Sequence, residues 1–193
     1  MRHVKPAKRL AAARAACLAA RVDDAVTIRS AQRTDVPAIL EIYNAAVAEP
    51  AAAYEDVPHT LKQREDWFDH FMWRNFPILV AEAEGTVIAW GSLGPHQERA
   101  GFRFTGSVAL YVSEGVRRQG IGGSLLNALL DAGRERKLHV VVAAIDAGNG
   151  ASLALHIKHG FTEAGVFHEA GCKFGEWRDV VYLQHRMDDR PMP

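Results

Sequence analysis

Ser107-Val-Ala-Leu-Tyr-Val-Ser-Glu-Gly-Val-Arg-Arg-Gln-Gly-Ile-Gly-Gly123 is the stretch whose reading decides the fold. It reads as a β-strand that stops at Ser113-Glu114-Gly115, crosses a basic, glycine-bearing turn, and enters a helix through Ser124, Leu125, Leu126, Leu129 and Leu130. The first amides of a helix have no acceptor within it and sit at the positive end of its dipole. A diphosphate supplies both the acceptors and the charge. Gly120, Gly122 and Gly123 let an anion approach the backbone with no Cβ in the way, and Arg117 and Arg118 add positive charge beside it. The spacing Arg-Arg-Gln-Gly-Ile-Gly is neither the dinucleotide fingerprint nor the GxxxxGK[ST] loop of nucleotide hydrolases. Alone, so short a pattern is also compatible with a glycine-rich turn capped by solvated arginines.

Working outward, Val26–Ala31 alternates as a first strand, and Thr34 caps a helix with Val36, Ile39, Leu40, Tyr43 and Val47 at helical spacing. A loop from Glu49 to His59 leads to Thr60, the cap of a second helix carrying Leu61, Trp67, Phe68, Phe71 and Met72. Pro77–Ala83 and Thr86–Leu93, joined by Glu84-Gly85, form a hairpin, with Gly94–Gly101 as its exit loop. Phe102–Val112 is a long strand, and the helix after the turn runs to about Lys137. His139–Ile145 is a continuous apolar run, as a buried parallel strand should be. Asn149 opens a short helix that stops at Gly160. Phe161–Phe167 and Asp179–Met187 close the sheet, with Glu169–Arg178 as a loop between them. The order predicts an α/β (α+β) fold, a mixed central sheet of about seven strands flanked by about four helices.

The chain of 193 residues is long enough for one well-filled core and short for two. We expect an Ala/Arg-rich, loosely attached extension over 1–25, one domain over 26–187, and a tail over 188–193. Acidic and basic residues balance at 23 each, which lacks the basic footprint of a nucleic-acid binder. Cys17 and Cys172 give neither a disulfide framework nor a metal spacing, which suits a cytoplasmic setting. No apolar run approaches the ~20 residues of a membrane span.

A second motif agrees with the first. Asn149-x-x-Ser152-x-x-x-His156-x-x-x-Gly160-Phe161 resembles the fourth-helix motif of the GNAT N-acetyltransferase family, and the basic glycine turn resembles that family's pyrophosphate loop. Within the family, the chain is most similar to the phosphinothricin and methionine sulfoximine N-acetyltransferase group. The stretches that carry this are 39–47, 76–81, 101–103, 110–112, 141–145 and Lys173-Phe-Gly-Glu-Trp-Arg-Asp179. The resemblance implies acetyl-CoA as co-substrate, no metal, a small amino-acid-like amine as acceptor, and a homodimer, with neither nucleic acid nor membrane as partner.

It also implies roles for residues. Leu110, Tyr111 and Val112 should bond the pantetheine arm. The diphosphate should rest on the turn of Arg117, Arg118, Gln119, Gly120, Ile121, Gly122 and Gly123. Asn149 and Ser152 should hold the arm from the other side; Asn149 also reads as an ordinary helix cap, and the two roles are compatible. His156 stands where many members have tyrosine near the departing sulfur, and it is either an acid for that sulfur or a structural histidine bonded to backbone. Tyr54, Glu55, Gln97, Glu98, Arg99 and Arg103 are the candidates for contact with the amine substrate.

Two departures from the group matter. Its Thr-x-Glu carboxylate is Ser107 here, in Thr105-Gly106-Ser107, and a serine hydroxyl is too weak a base for an ammonium proton. Either Glu55, Glu98, His96 or a water chain takes that proton, or the amine arrives neutral. The group's Trp-Arg pair after the hairpin is replaced by Gly94-Pro95-His96-Gln97-Glu98-Arg99. Ser107 therefore also raises a different reading, an acetyl-CoA-binding module that has lost its proton path.

Overall fold

The computed structural model describes residues 26–192; the extension over 1–25, with Cys17, lies outside them. The elements are β1 (Val26–Ser30), α1 (Val36–Val47), α2 (Leu61–Trp73), β2 (Ile78–Ala83), β3 (Thr86–Pro95), β4 (Thr105–Val112), α3 (Ile121–Glu135), β5 (Val140–Asp146), α4 (Gly150–Lys158), β6 (Thr162–Lys173) and β7 (Glu176–Arg186). The strands form one sheet in the order β1-β2-β3-β4-β5-β7-β6. Only β4 and β5 run parallel to each other. Among the described residues, a mixed sheet of seven strands with four α-helices is the architecture that the element order predicted.

Each face of the sheet carries its own core. On one face α3 buries Ile121, Leu125, Leu126, Leu129 and Leu130, one stripe of an amphipathic helix, against Ile88, Leu93, Val141 and Leu183. Full burial of each leucine stabilises the fold by about 1.5–3 kcal/mol. On the other face α1 and α2 pack Ile39, Tyr43, Val47 and Phe68 over Val80 and Trp90. Residues along β4 alternate between the two: Val108, Leu110 and Val112 join the first core and Tyr111 the second.

Several boundaries differ from the sequence reading, for local reasons. Helix α1 is preceded by a short 3-10 turn at Arg33–Asp35, and its closing bond comes from Asp35, whose carboxylate accepts from the Gln32 amide at 2.7 Å, not from Thr34. Ile42 is buried on this helix while Leu40 is only half-buried. Strand β4 starts at Thr105 because Ala100–Phe102 forms a 3-10 turn, with the Phe102 amide on the Arg99 carbonyl at 2.9 Å. Residues 169–178 are not a loop. Strands β6 and β7 run through them to a two-residue turn at Phe174 (φ 52°) and Gly175 (φ 82°), the two positive φ angles that a tight hairpin turn needs. The polar arms hid this hairpin, which also carries a register shift between Phe167 and Gly171. Among the described residues no helix is long and apolar enough to cross a membrane.

Candidate active site

Strands β4 and β5 pair only over Thr105–Ser107 and Val140–Val142. Beyond Ser107 they part company: β4 stays bonded to β3 as far as Val112, and β5 to β7 as far as Asp146. One edge of each strand is left without a backbone partner, and buried amides and carbonyls demand one. A cavity of about 340 Å³ fills the fork, with Leu110, Tyr111, Ala143 and Asp146 on its walls. An extended ligand carrying amide groups would complete both edges.

The fork leads directly to the basic turn. Arg118 (φ 64°) and Gly120 (φ 82°) take left-handed conformations, and Gly120 caps α3 without any side-chain bond. The first intrahelical bond is from the Ser124 amide to the Gly120 carbonyl at 3.1 Å, so the amides of Ile121, Gly122 and Gly123 have no acceptor within the helix. A Cβ placed on Gly120 would meet nothing within 4 Å, so the seat is open there, whereas one on Gly122 would meet Leu155 at 3.3 Å and one on Gly123 His159 at 2.7 Å, so those two glycines make room for neighbouring side chains and not for the anion. Arg118 and Gly120 are exposed and Gln119 half-buried. The Arg117 guanidinium donates to the Val112 carbonyl at 3.1 Å and pairs with Glu49 at 2.5 Å, a partner that raises its pKa. A fork for an amide-bearing arm ending at an open anion seat fits the pantetheine and diphosphate of coenzyme A.

Asn149 is the helix cap its position suggested, and its amide nitrogen is held by the roof of the cavity. Its side-chain oxygen accepts from the Ser152 amide at 3.0 Å and so caps α4, while its Nδ2 donates to the Ala51 carbonyl at 3.1 Å on the far lip of the cavity. His156 also lines the cavity but is only 3% exposed. Its Nδ1 lies 2.8 Å from the Ser152 carbonyl, which can only accept, so Nδ1 carries a proton and Nε2 of the neutral ring is a lone pair. Burial lowers its pKa, which opposes the cation needed for an acid at the sulfur.

The loop of Ala51–Glu55 roofs the cavity and is pinned from the opposite wall. Asp146 accepts from Arg178 at 2.8 and 2.7 Å, from the Gly148 amide at 2.7 Å and from the Tyr54 hydroxyl at 3.1 Å. Arg178 above all holds the Asp146 carboxyl below its ordinary range. Burial, then the Asp146 bond, pushes Tyr54 up to about 12. Lys173, 2% exposed, donates to the Val47 carbonyl at 2.8 Å and to the Glu55 carbonyl. Tyr54, Glu55, Leu110, Tyr111, Asn149, Ser152 and His156 thus share one cavity.

Under the cavity floor the Arg64 guanidinium, 3% exposed, lies 3.9 Å from the centre of the Tyr43 ring. Burial lowers its pKa, and burial likewise pushes Tyr111 up to about 12.

The other candidates lie elsewhere. Ser107 stands at the apex of the fork, the last β4 residue paired to β5, and its hydroxyl is 3.0 Å from His96 Nδ1. Gln97 and Arg99 are exposed, Glu98 pairs with Arg74 at 2.5 Å, and the Arg103 guanidinium sits 4.6 Å from the centre of the Phe104 ring; none lines the cavity. Sequence reasoning passed over Asp146, Tyr43, Arg64 and Arg178. A signal existed for one pair: an aspartate ending a wholly apolar strand needs a buried cation partner, and Arg178 sits in the Lys-Phe-Gly-Glu-Trp-Arg-Asp stretch already singled out.

The profile of the acetyltransferase (GNAT) family matches residues 39–161. The L-methionine sulfoximine/L-methionine sulfone acetyltransferase of Pseudomonas aeruginosa is 41% identical over 84% of this chain and 95% of its own. An acetyltransferase from Salmonella typhimurium, solved with its cofactor acetyl-CoA, superposes with a TM-score of 0.85 at 36% identity, over 88% of this chain and 98% of that one. A ribosomal-protein-alanine N-acetyltransferase from Brucella melitensis is 42% identical over 83% of this chain and 99% of that one, with a TM-score of 0.81. With its forked sheet, its open anion seat and these matches over most of its length, the chain belongs to the GNAT family of acetyltransferases.

Proposed function

We propose that this protein transfers acetyl from acetyl-CoA directly to the amino group of a small amino-acid-like substrate of the methionine sulfoximine or phosphinothricin type. The observation that carries this reading is the edge of β4 left unpaired beyond Ser107, which borders one cavity roofed by Ala51–Glu55 and ends at the open turn before α3. A roof pinned by Asp146 and Lys173 favours a compact substrate over a polypeptide.

Acetyl-CoA, when bound, supplies the thioester carbonyl carbon that the amine attacks. The amides of Ile121, Gly122 and Gly123 donate to the diphosphate, with Arg118 and Gln119 beside it and Arg117 fixed against Glu49. The backbone of Leu110–Val112 holds the arm on one side, and Asn149 and Ser152 on the other. An amide aimed at the carbonyl oxygen from the β4 edge stabilises the charge that develops there. Tyr54 and Glu55 face the acceptor from the roof. Arg99 and Arg103 offer the substrate's anionic group a partner at the amino end of β4, outside the cavity proper.

The same reading includes a homodimer in the cytoplasm. Phe167, Phe174 and Trp177 stand exposed on the β6–β7 hairpin at 59%, 54% and 69%, apolar surface that a second copy would cover. Light scattering at micromolar concentration checks the assembly.

Release of CoA thiol from acetyl-CoA with L-methionine sulfoximine, followed across a panel of amino acids, polyamines and a peptide beginning with alanine, tests the activity. Turnover confined to the peptide would overturn the small-substrate reading. The module without turnover is not favoured, because relatives alike over most of the chain are named as acetyltransferases.

A further inference from the structure

We propose that Ser107 and His96 together form the path by which the substrate ammonium loses its proton, with Ser107 meeting the amine and His96 behind it as the acceptor. This rests on the activity proposed above and adds the identity of its base.

The loop that leaves β3 and the start of β4 touch each other. Gly94 of β3 lies directly opposite Ser107 of β4, and His96, just past the end of β3, keeps the ladder going by donating its amide to the Thr105 carbonyl at 3.2 Å. His96 is then the diagonal neighbour of Ser107, a separation of about 7–8 Å between α-carbons that a ring can bridge. Gly94 has no side chain to intervene, and the imidazole Nδ1 reaches the Ser107 hydroxyl at 3.0 Å. The ring packs beside Phe102, with centres 5.8 Å apart, and remains only half-buried, so a proton taken up there can pass on to water.

Position supports the role as well as contact does. Ser107, Ala109 and Tyr111 alternate onto one face of β4; Val108 to Tyr111 line the cavity, and Ser107 is the next residue toward the apex of the fork. Ser107 is one alternate position away from Ala109, about 7 Å along the strand. A hydroxyl cannot keep an ammonium proton, whereas it can pass one to an imidazole, whose ordinary pKa lies near neutrality. The pair acts in this direction when the neutral ring carries its proton on Nε2, leaving Nδ1 to accept from Ser107.

The step balances. An ammonium N–H bond breaks toward Ser107 Oγ while the Ser107 proton moves to His96 Nδ1. The freed nitrogen lone pair forms the bond to the acetyl carbon, the C–S electron pair departs on sulfur, and a second nitrogen proton ends on that sulfur through water. The products are the amide, the thiol of CoA and a protonated His96.

The charged groups around His96 are Glu98 and Arg99 on its own loop, Arg103 from the 3-10 turn, Arg74 from the end of α2, and the His139–Asp188 pair (2.7 Å) behind the start of β4. Glu98 is taken by Arg74 at 2.5 Å, and none of these groups bonds the ring. The competing acceptors in the cavity are Glu55, whose carboxylate lies 3.7 Å from His59, and the Nε2 of His156.

The test follows kcat/KM for L-methionine sulfoximine against pH in the wild type, His96→Gln, Ser107→Ala and the double variant His96→Gln/Ser107→Glu. The wild type should lose activity on the acid side with a single ionisation, and the His96 ring signal, found by nitrogen NMR as the one missing in His96→Gln, should titrate at the same pH. His96→Gln should drop kcat/KM by about 100-fold or more. The double variant should recover most of that loss and move the acid limb down by about two pH units, the difference between an imidazole and a carboxylate. That recovery also shows that the His96 substitution folds. Retention of both rate and acid limb in His96→Gln, an NMR titration away from the limb, or a limb that moves in Glu55→Gln or His156→Gln instead, overturns the relay while leaving the activity intact. A wild type that releases no thiol with any amine sinks the activity and the relay with it.

Discussion

The two ends of β4 do different work with different parts of the chain. At its carboxyl end, from Ser113 to Gly123, the anion seat is made of main chain: two left-handed residues, Arg118 and Gly120, and helix amides that lack acceptors. At its amino end the chemistry belongs to side chains, with Ser107 on β4, His96 beyond β3 and Phe102 from a short turn. Main chain is present whatever the sequence, so that end requires only the absence of obstruction, which glycine provides. Side chains have to be supplied one by one, and here Ser107 and His96 rest on each other.

Gly120→Val carries the largest expected effect. Nothing stands within 4 Å of a Cβ there, so the fold has room, but φ of 82° is foreign to a β-branched residue and costs about 1–2 kcal/mol. The added methyls project into the anion's approach. Calorimetry should show acetyl-CoA binding weakened about 100-fold, equivalent to about 2.7 kcal/mol. Unchanged affinity would break the comparison at its main-chain end.

Next in size is Asp146→Asn, on the opposite wall of the fork. The substitution keeps the shape yet leaves Arg178 facing a neutral group. Breaking a buried pair costs about 3–5 kcal/mol, and the 20% exposure of the Arg178 side chain brings the expected loss to about 2 kcal/mol in urea unfolding. Amide exchange across Ala51–Glu55 should quicken, because Tyr54 loses the acceptor that ties the roof to β5. Stability equal to wild type would mean that Lys173 and the Asn149 bond to Ala51 suffice to hold the roof.

This division explains what could be read from the sequence. The glycine turn, the leucine stripe of α3 and the apolar run of β5 follow from local periodicity and backbone chemistry, and the structure has them within a residue or two of where they were expected. The β6–β7 hairpin was missed because its arms are polar and its turn, Phe174-Gly175, lacks the usual Asn-Gly signal. Asp146, Arg64 and the His96–Ser107 contact were missed for a deeper reason. Each draws its meaning from a partner on another element, 32 residues away for Asp146 and 11 for Ser107, and periodicity within one element carries no such information.

Arg118→Ala against Arg117→Ala sharpens the main-chain end further. Arg117 already spends its charge on Glu49 and the Val112 carbonyl, while Arg118 is exposed. Loss of Arg118 should weaken acetyl-CoA binding about fivefold, or ~1 kcal/mol, with the effect fading as salt rises. Loss of Arg117 should matter less for binding, and a larger effect there would mean that its pairing with Glu49 gives way to the ligand.

The smallest effect concerns His156, whose ring is held chiefly by the Ser152 carbonyl. Burial puts its folded-state pKa below the ordinary 6.5. As pH falls through 6.5 the unfolded chain takes up a proton that the folded chain refuses, so stability declines on the acid side and is unaffected well above it. Between about pH 7.5 and 6 the wild type should therefore lose stability that His156→Gln does not lose, at most about 0.8 kcal/mol, measured as the difference in how their urea unfolding free energies change with pH. The opposite sign, a wild type gaining on acidification relative to the variant, would mean a folded cation at His156. Only then could that ring donate a proton to the departing sulfur, and the fork would hold a working side chain at both walls instead of one.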